Sequence, residues 1–344
     1  MNTELLSKLI STPTPSGHEQ DAVNIINGYL SGVASISTDS LGNIYARLPG
    51  CGSETSVLLE AHIDNVGFQV SYVDDNGFIY VRPLGGVDIL SSIGQKVEVR
   101  SHTGKKYTGF IGKKPIHEQK ADERKIVPDA ENIWIDVPTS DYEIKDNVRV
   151  GDSVVFISSL FRQNNRLVGF GLDDKAGVAV ICEVLKRIVA MPQHCAVTAA
   201  FSTQEEVGCK GAQVAVANTC PSIAISIDVC HATDAPEMSK RKNGDVKLGY
   251  GVVVMMNTDT TPSLAQKVIG LSKYAEINIQ LSAGSRATGG TDAPRLQLAG
   301  KGISTITLGI PNRYMHTAVE MCDERDLDSA VDLIVELVKQ CNII

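Results

Sequence analysis

The sequence contains little of what nucleic-acid-binding proteins need. Aromatic residues make up 5% of the 344 residues and there is a single Trp, so few side chains could stack on bases. Asp and Glu number 40 against 32 Lys and Arg, which gives a formal net charge of −8. An acidic chain without basic runs does not favour contacts with a phosphate backbone. We therefore expect no nucleic-acid partner.

Long apolar runs and paired cysteines are missing as well. No apolar run approaches the length of a membrane span, and the N-terminal residues lack the apolar block of a signal peptide. The eight cysteines form no CxxC pair, which argues against a zinc ribbon, and a disulfide framework is not typical of so long a chain without a secretion signal. We expect a protein of the cytoplasm with no membrane partner.

The pattern of strands and helices predicts two units, in agreement with about 150 residues per domain. Between residues 67 and 162 the chain has short β-rich runs separated by glycine-rich turns, and we find no convincing helix there. After Asp173, strands and helices alternate. The predicted strands in this part run over 196–202, 222–229, 276–282 and 303–309, and the predicted helices over 176–188, 211–218, 261–275 and 323–341. A further strand of the same kind is predicted earlier, over 56–61.

These strands are almost continuous runs of apolar residues, which is typical of strands buried on both faces. The sequence therefore predicts an α/β fold with a mostly parallel mixed sheet flanked by helices and a small inserted β-barrel-like domain. Residues 1–66 would form the first segment of the main domain, 67–162 the inserted β domain, and 163–344 the second segment.

Histidine and acidic residues follow several of the predicted strands. They are His62 and Asp64 after 56–61, Glu205 and Glu206 after 196–202, Asp228 near the end of 222–229, His316 after 303–309, and Asp173 with Asp174 before a helix. Because open α/β sheets bind ligands outside the carboxyl ends of their strands, we expect these side chains to converge.

Two histidines with four or five carboxylates form a ligand set that suits zinc, cobalt or manganese. Crowded carboxylates repel one another, and two divalent cations joined by one bridging carboxylate would resolve that conflict. Such a pair of ions polarises a carbonyl group and generates hydroxide at neutral pH.

Each of these features has an ordinary structural interpretation when it stands alone. His62 could be a satisfied histidine at a strand end, Asp173-Asp174 a helix N-cap, and Glu205-Glu206 a solvated turn. The joint placement of all of them at strand ends is what favours a metal site.

The same segments resemble the M42 family of metallo-aminopeptidases, which includes glutamyl and tetrahedral aminopeptidases. The similar segments are AHIDNVGF (61–68), PLGG (83–86), GLDDKAG (171–177), STQEEVGCKGA (202–212), SIDVCHATDAP (226–236), GGTDA (289–293) and PNRYMHTAVE (311–320). Two positions depart from the family pattern. Asn65 stands where Glu is more common, and Gly249-Tyr250-Gly251-Val252 replaces Gly-x-Gly-Pro; both bear on the side-chain preference of the enzyme.

The resemblance implies a zinc-exopeptidase-like fold and a role for each candidate residue. One metal ion would bind His62, Asp173 and Asp228, and a second would bind Asp173, Glu206 and His316, so that Asp173 bridges. The catalytic residues would be Glu205 as general base and Asp64, which orients His62. The resemblance also implies a cis peptide bond between Asp173 and Asp174, an inserted domain used in dimerisation, and homo-oligomers built from dimers, such as dodecamers.

The activity that follows is a dinuclear metal-dependent aminopeptidase that releases N-terminal amino acids from peptides by attack of a metal-bound hydroxide on the first peptide bond. Two alternatives stay open at this point. One is a related amidohydrolase or deacylase acting on acylated amino acids, and the other is a non-catalytic scaffold that forms shells.

Overall fold

The structure of the protein is a computed structural model, which describes residues 2–50, 55–191 and 195–340. Cys51 lies outside these ranges, as does Cys341, the last residue of the predicted closing helix. The α-helices within them are α1 (Thr3–Ile10), α2 (Gln20–Tyr29), α3 (Ile89–Ser92), α4 (Asp141–Asn147), α5 (Leu172–Ile188), α6 (Lys210–Thr219), α7 (Lys240–Asn243), α8 (Pro262–Tyr274), α9 (Ala293–Leu296) and α10 (Glu324–Lys339). Short 3₁₀ helices cover Ile116–Glu118, Glu123–Lys125 and Ala130–Asn132.

The strands belong to three sheets. They are β1 (Ser35–Thr38), β2 (Ile44–Leu48), β3 (Ser56–His62), β4 (Gly67–Val73), β5 (Ile79–Leu84), β6 (Lys96–Arg100), β7 (Lys106–Gly112), β8 (Trp134–Asp136), β9 (Ser153–Phe156), β10 (Phe161–Gln163), β11 (Arg166–Gly169), β12 (Ala196–Ser202), β13 (Ile223–His231), β14 (Val252–Met255), β15 (Ile279–Ser282), β16 (Ser304–Asn312) and β17 (Glu320–Asp323). Over the described ranges, no helix is both long and apolar enough to pass through a lipid bilayer.

The main sheet has eight strands in the order β1-β2-β12-β3-β13-β16-β14-β15. Its centre, β12-β3-β13-β16, is parallel throughout. Antiparallel pairs join β1, β2 and β12 on one side and β14 to β16 on the other. The predicted α/β fold with a mixed sheet is confirmed.

Helices cover both faces of this sheet. In β3, Val57 and Leu59 point to a core that includes α1, α5, α8 and α10, whereas Leu58 points to a smaller core beneath α6 and α9. This alternation follows from the two-residue period of a strand. Because both faces are buried, the strand sequences are apolar throughout rather than alternating with polar residues.

Six strands between residues 67 and 156 close into a separate barrel in the order β4-β5-β8-β7-β6-β9. Its interior is filled by a second hydrophobic core that contains Phe68 and Phe156, whose rings pack edge to face. The barrel-like unit is therefore confirmed, but the expectation that 67–162 contains no helix is wrong. Helices α3 and α4 lie there, each begun by a side-chain cap, from Asp88 and Ser140 respectively. The domain boundaries at 66 and 162 stay a prediction.

Candidate metal centre and active site

The parallel strands carry the predicted residues to one edge of the main sheet. His62 is the last residue of β3, Asp228 lies near the end of β13, and Glu205 and Glu206 follow β12. His316 follows β16, and Asp173 lies at the start of α5. These residues contribute six of the side chains that line a cavity of about 610 Å³, namely His62, Asp173, Glu205, Glu206, Asp228 and His316. Asp64 lies behind them and is fully buried.

Asp173 lies between the two histidines. Its Oδ1 is 3.0 Å from Nε2 of His62, and its Oδ2 is 3.3 Å from Nε2 of His316. The backbone holds this orientation, because the Asp173 N–H donates to Glu320 at 2.9 Å and the Asn65 amide donates to the Asp173 carbonyl at 3.0 Å. The peptide bond between Asp173 and Asp174 is cis, as expected.

Two further carboxylates extend the cluster on either side of Asp173. Oε2 of Glu206 is 3.4 Å from Nε2 of His316, and Oδ1 of Asp228 is 3.9 Å from Nε2 of His62. Two ligand atoms bound at about 2.0–2.1 Å to one tetrahedral zinc ion lie about 3.3 Å apart. The spacing of the side chains therefore fits divalent cations on both sides of Asp173.

The Nδ1 atom of each histidine lies within hydrogen-bond distance of a backbone carbonyl oxygen. Nδ1 of His62 is 3.1 Å from the backbone oxygen of Asp64, and Nδ1 of His316 is 3.0 Å from the backbone oxygen of Gly86. Because a carbonyl oxygen only accepts, each Nδ1 carries a proton and each Nε2 faces the cluster. This is the arrangement found in histidines that ligate metals.

The electrostatics of the cluster favour cations. Burial, and then the charge of Asp173, raises the pKa of Glu206 well above its usual range. Burial and the neighbouring Asp174 and Asp173 do the same for the pKa of Asp228. Burial alone would lower the pKa of His62, but hydrogen bonds to Asp173 and Asp64 hold it well above its usual value. Without cations the site therefore takes up protons, and bound metal ions would replace them.

Asp174, which was expected to converge with the other residues but was given no ligand role, also reaches the cluster. Its carboxylate, His62 and Asp228 place ligand atoms within 4.8 Å of one another, as do His62, Asp173 and Glu206. Oδ1 of Asp174 accepts the Gly177 N–H at 3.0 Å, and its buried Oδ2 has no hydrogen-bond partner within the described residues. A side chain at position 177 would meet this carboxylate at 2.4 Å, which explains the glycine of the GLDDKAG segment.

Asp64 holds the turn that carries the two glutamates. Its Oδ1 accepts the Glu205 N–H at 2.9 Å, and its Oδ2 accepts the Glu206 N–H at 3.2 Å and the Ser16 hydroxyl at 2.6 Å. Its Oδ1 is also 3.5 Å from Nδ1 of His62, whereas the backbone oxygen of Asp64 is 3.1 Å from the same nitrogen. Asp64 therefore positions Glu205 and Glu206 as well as His62.

We predict that Asp64→Asn weakens metal binding by about 10–100-fold, the usual effect of losing a partner that orients ligands. The amide has a single acceptor oxygen, whereas the Asp64 carboxylate accepts three hydrogen bonds. Competition with a chelator measures the affinity. Ser16→Ala removes only one of these bonds and should have the smaller effect; equal affinities for wild type and Asp64→Asn would contradict this role.

Glu205 faces the cavity beside the cluster. Burial is the main reason that its pKa is raised to about 7. The charge of His62 acts in the opposite direction, and Asp292, Asp64 and Asp173 each raise the pKa by a smaller amount. The Cys209 thiol donates to its Oε1 at 3.3 Å. A carboxylate with a pKa near neutrality is suited to accept and return a proton.

The barrel contributes to this site through the PLGG segment. A side chain at position 86 would meet Nδ1 of His316 at 2.9 Å, and one at position 85 would meet Glu206 at 3.1 Å. Gly85 also has a φ of +79°, which disfavours other residues. The two glycines therefore allow the end of β5 to approach both proposed ligands.

Several buried groups near the site were not singled out from the sequence. Glu320 accepts from the backbone N–H groups of Asp173 and His316, and its position four residues after His316 was the available signal. Glu60 and Asp292 lie side by side, and the Ser202 hydroxyl oxygen is 2.6 Å from Oε1 of Glu60 and 3.0 Å from Oδ2 of Asp292. Burial, and then Glu60, raises the pKa of Asp292 well above its usual range.

The residues that depart from the family pattern are held in place by hydrogen bonds. Asn65 is buried and contacts the backbone of Asp173, as described above. The N–H groups of Gly249 and Gly251 both donate to Asp326 on α10, at 2.7 Å. Their influence on side-chain preference stays a prediction.

The chain is similar to known aminopeptidases in sequence and in fold. The family model described as M42 glutamyl aminopeptidase matches residues 42–333. The chain is 32% identical to the lysyl aminopeptidase of Pyrococcus furiosus, over 98% of this chain and 96% of that protein. A TET aminopeptidase from a marine sediment Thaumarchaeota archaeon has a similar structure, with a TM-score of 0.92, 31% identity, and coverage of 98% of this chain and 96% of that chain. The Pyrococcus horikoshii TET1 peptidase gives a TM-score of 0.87 at 30% identity, with 98% of each chain covered. The chain therefore belongs to the M42 glutamyl aminopeptidase family and is an aminopeptidase, a hydrolase of the exopeptidase class.

Proposed function

We propose that the protein is a dinuclear metal-dependent aminopeptidase. His62, Asp173 and Asp228 would hold one divalent cation, and Asp173, Glu206 and His316 the other. The observation that carries this proposal is the position of Asp173, whose two carboxylate oxygens face two different histidines. Nitrogen and oxygen ligands of this kind suit zinc or cobalt, and manganese is the next candidate.

The two cations, when bound, would polarise the scissile carbonyl and lower the pKa of water from 15.7 to about 7. The side chains of the protein perform the remaining tasks. Glu205 takes the proton of the attacking water and delivers it to the departing amine. Asp64 holds the backbone of Glu205 in place, and Cys209 donates a hydrogen bond to its carboxylate.

The proposed substrates are peptides with a free N-terminus. The relatives named above are aminopeptidases, and the cavity next to the cluster is large enough for an amino-acid side chain. Its wall offers both apolar and polar contacts, from Met255 and Met315 on one hand and Asn257 and Arg286 on the other.

A pair of matched substrates tests this proposal. The metal-loaded protein should release the first residue of a peptide with a free α-amine and should not cleave the same peptide after N-acetylation. The related deacylase makes the opposite prediction, namely removal of the acyl group from the blocked substrate. A non-catalytic scaffold would cleave neither.

We predict that kcat/KM rises between about pH 5 and pH 8. A general base works as the carboxylate, so activity increases as pH rises through the pKa of Glu205, which is about 7 before the charge of bound cations lowers it. A free α-amine has a pKa of about 7.7–8.0 and must lose its proton to ligate a metal, which acts in the same direction. A pH profile with saturating metal measures this, and an optimum near pH 5 would contradict it.

We also propose that the chain forms homo-oligomers from dimers, in which the β-barrel domain over 67–162 makes the dimer contact. The support is the similarity to the Pyrococcus horikoshii TET1 peptidase, which can assemble into a tetrahedron or a large octahedral shell. A dodecamer is the expected particle, and light scattering of the purified protein tests it. A stable monomer would contradict the proposal.

A cytoplasmic location completes the proposed function. Among the six cysteines that the structure describes there is no disulfide, which is typical of a reducing compartment.

A further inference from the structure

A second cluster of metal-ligating side chains lies beside the proposed dinuclear centre. Glu205, Cys209 and Asp292 each offer one ligand atom, and these atoms lie within 4.8 Å of one another. Sγ of Cys209 is 3.3 Å from Oε1 of Glu205. A sulfur and an oxygen bound to one tetrahedral zinc ion, at about 2.3 and 2.0–2.2 Å, lie about 3.5 Å apart.

The surroundings of Asp292 point independently to a ligand at this cluster. Its side chain is only 2% exposed, and its Oδ2 accepts the Ser202 hydroxyl at 3.0 Å. Its Oδ1 is buried and has no hydrogen-bond partner in the described part of the chain. A buried carboxylate next to Glu60 and Glu205 is costly unless a proton or a cation compensates its charge.

The backbone directs Cys209 toward these carboxylates. Cys209 precedes the first residue of α6 and adopts a left-handed conformation with φ of 56°. This places its Sγ near Glu205 and 3.5 Å from the backbone oxygen of Thr291, next to Asp292. Glu205 and Thr291 line the cavity, so an ion in the cavity can reach the cluster.

We propose that Glu205, Cys209 and Asp292 form an inhibitory site for one soft divalent cation such as Zn²⁺ or Cd²⁺. A bond forms between the metal and Sγ of Cys209, and the thiol proton is released to solvent. The ion occupies the carboxylate of Glu205, which then cannot accept a proton from water. Only this inhibitory consequence rests on the proposed function. A thiolate favours soft ions, so Mn²⁺ should not bind there.

Cadmium titration tests the site without reference to activity. The ligands of the proposed dinuclear centre include no thiol, so a thiolate-to-cadmium charge-transfer band in the ultraviolet reports ligation by a cysteine, and its loss in Cys209→Ser assigns the band to Cys209. We expect the band in wild type and in Cys220→Ser, a control at the exposed C-terminal end of the same helix, and its loss in Cys209→Ser. A band that persists unchanged in Cys209→Ser, or its absence from wild type, would overturn the site.

Inhibition by excess zinc tests the consequence. The activity of each protein is expressed relative to its value before excess Zn²⁺ is added. Cys209→Ser should then require about 10–100-fold more Zn²⁺ for half-inhibition than wild type or Cys220→Ser. Excess Mn²⁺ should affect the activity of wild type, Cys220→Ser and Cys209→Ser to the same extent. If the band depends on Cys209 but zinc inhibition does not, the inhibitory role is wrong. Absence of any peptidase activity would contradict the proposed function, while the cadmium band still decides on the site.

Discussion

Glu205→Gln is expected to lower kcat by about 10²–10⁴-fold while the protein keeps its metal, because a positioned general base contributes a factor of this size. Glutamine retains the size of the side chain and can still accept the hydrogen bond that Cys209 donates. It cannot take a proton from water at neutral pH. Steady-state kinetics and metal analysis of the same preparation measure both quantities.

Glu206→Gln is the matched control, since it makes the same chemical change one residue later in the same turn. Glu206 lies 3.4 Å from Nε2 of His316 and is a proposed ligand, so this variant should lose metal first and activity as a consequence. Added metal should partly restore Glu206→Gln and should not restore Glu205→Gln. Near-normal turnover in Glu205→Gln, or loss of metal in that variant alone, would reverse the two assignments.

Asp173→Asn is expected to remove both cations and to reduce activity by more than about 10³-fold. An asparagine offers one oxygen without charge, whereas each carboxylate oxygen of Asp173 faces a different histidine. Without bound cations, the pKa of water stays near 15.7 and little hydroxide forms at neutral pH. Metal analysis after dialysis and kcat/KM on a peptide with a free amine give the two readouts.

Asp75→Asn provides the control for this substitution, because Asp75 is exposed on the barrel, away from the cluster. It should retain the metal content and activity of wild type. Circular dichroism should show that Asp173→Asn remains folded. Retention of both ions by folded Asp173→Asn would show that Asp173 does not bridge.

The central strands were predictable because both of their faces are buried. The strand over 196–202 agrees with β12 at both ends, and the strands predicted for β3, β13 and β16 lie within a few residues of the observed ones. Strands β1, β2 and β14 of the main sheet were not predicted, whereas the edge strand β15 falls within the strand predicted over 276–282. Strand β1 is largely exposed and has no apolar pattern to read, and β2 is only five residues long. Helices α3 and α4 were missed because they are short and depend on local caps more than on an amphipathic face.

The site was predictable to the extent that it depends on strand ends. Parallel neighbours bring their carboxyl ends together, so His62, Glu206 and Asp228 had to be close once the sheet was assumed. The role of Asp292 was not readable, because it depends on how separate segments pack around the cluster. The same holds for Cys209, whose direction is set by a backbone conformation that the sequence pattern does not specify.

The most direct test of the account is the number of divalent ions bound per chain after metal-free protein is titrated with Co²⁺. Cobalt is chosen because nitrogen and carboxylate ligands bind it well. We predict two tightly bound ions per chain in wild type, with activity rising as they bind, and loss of both in Asp173→Asn. A single ion, or none, in a folded and active wild-type protein would contradict the dinuclear centre.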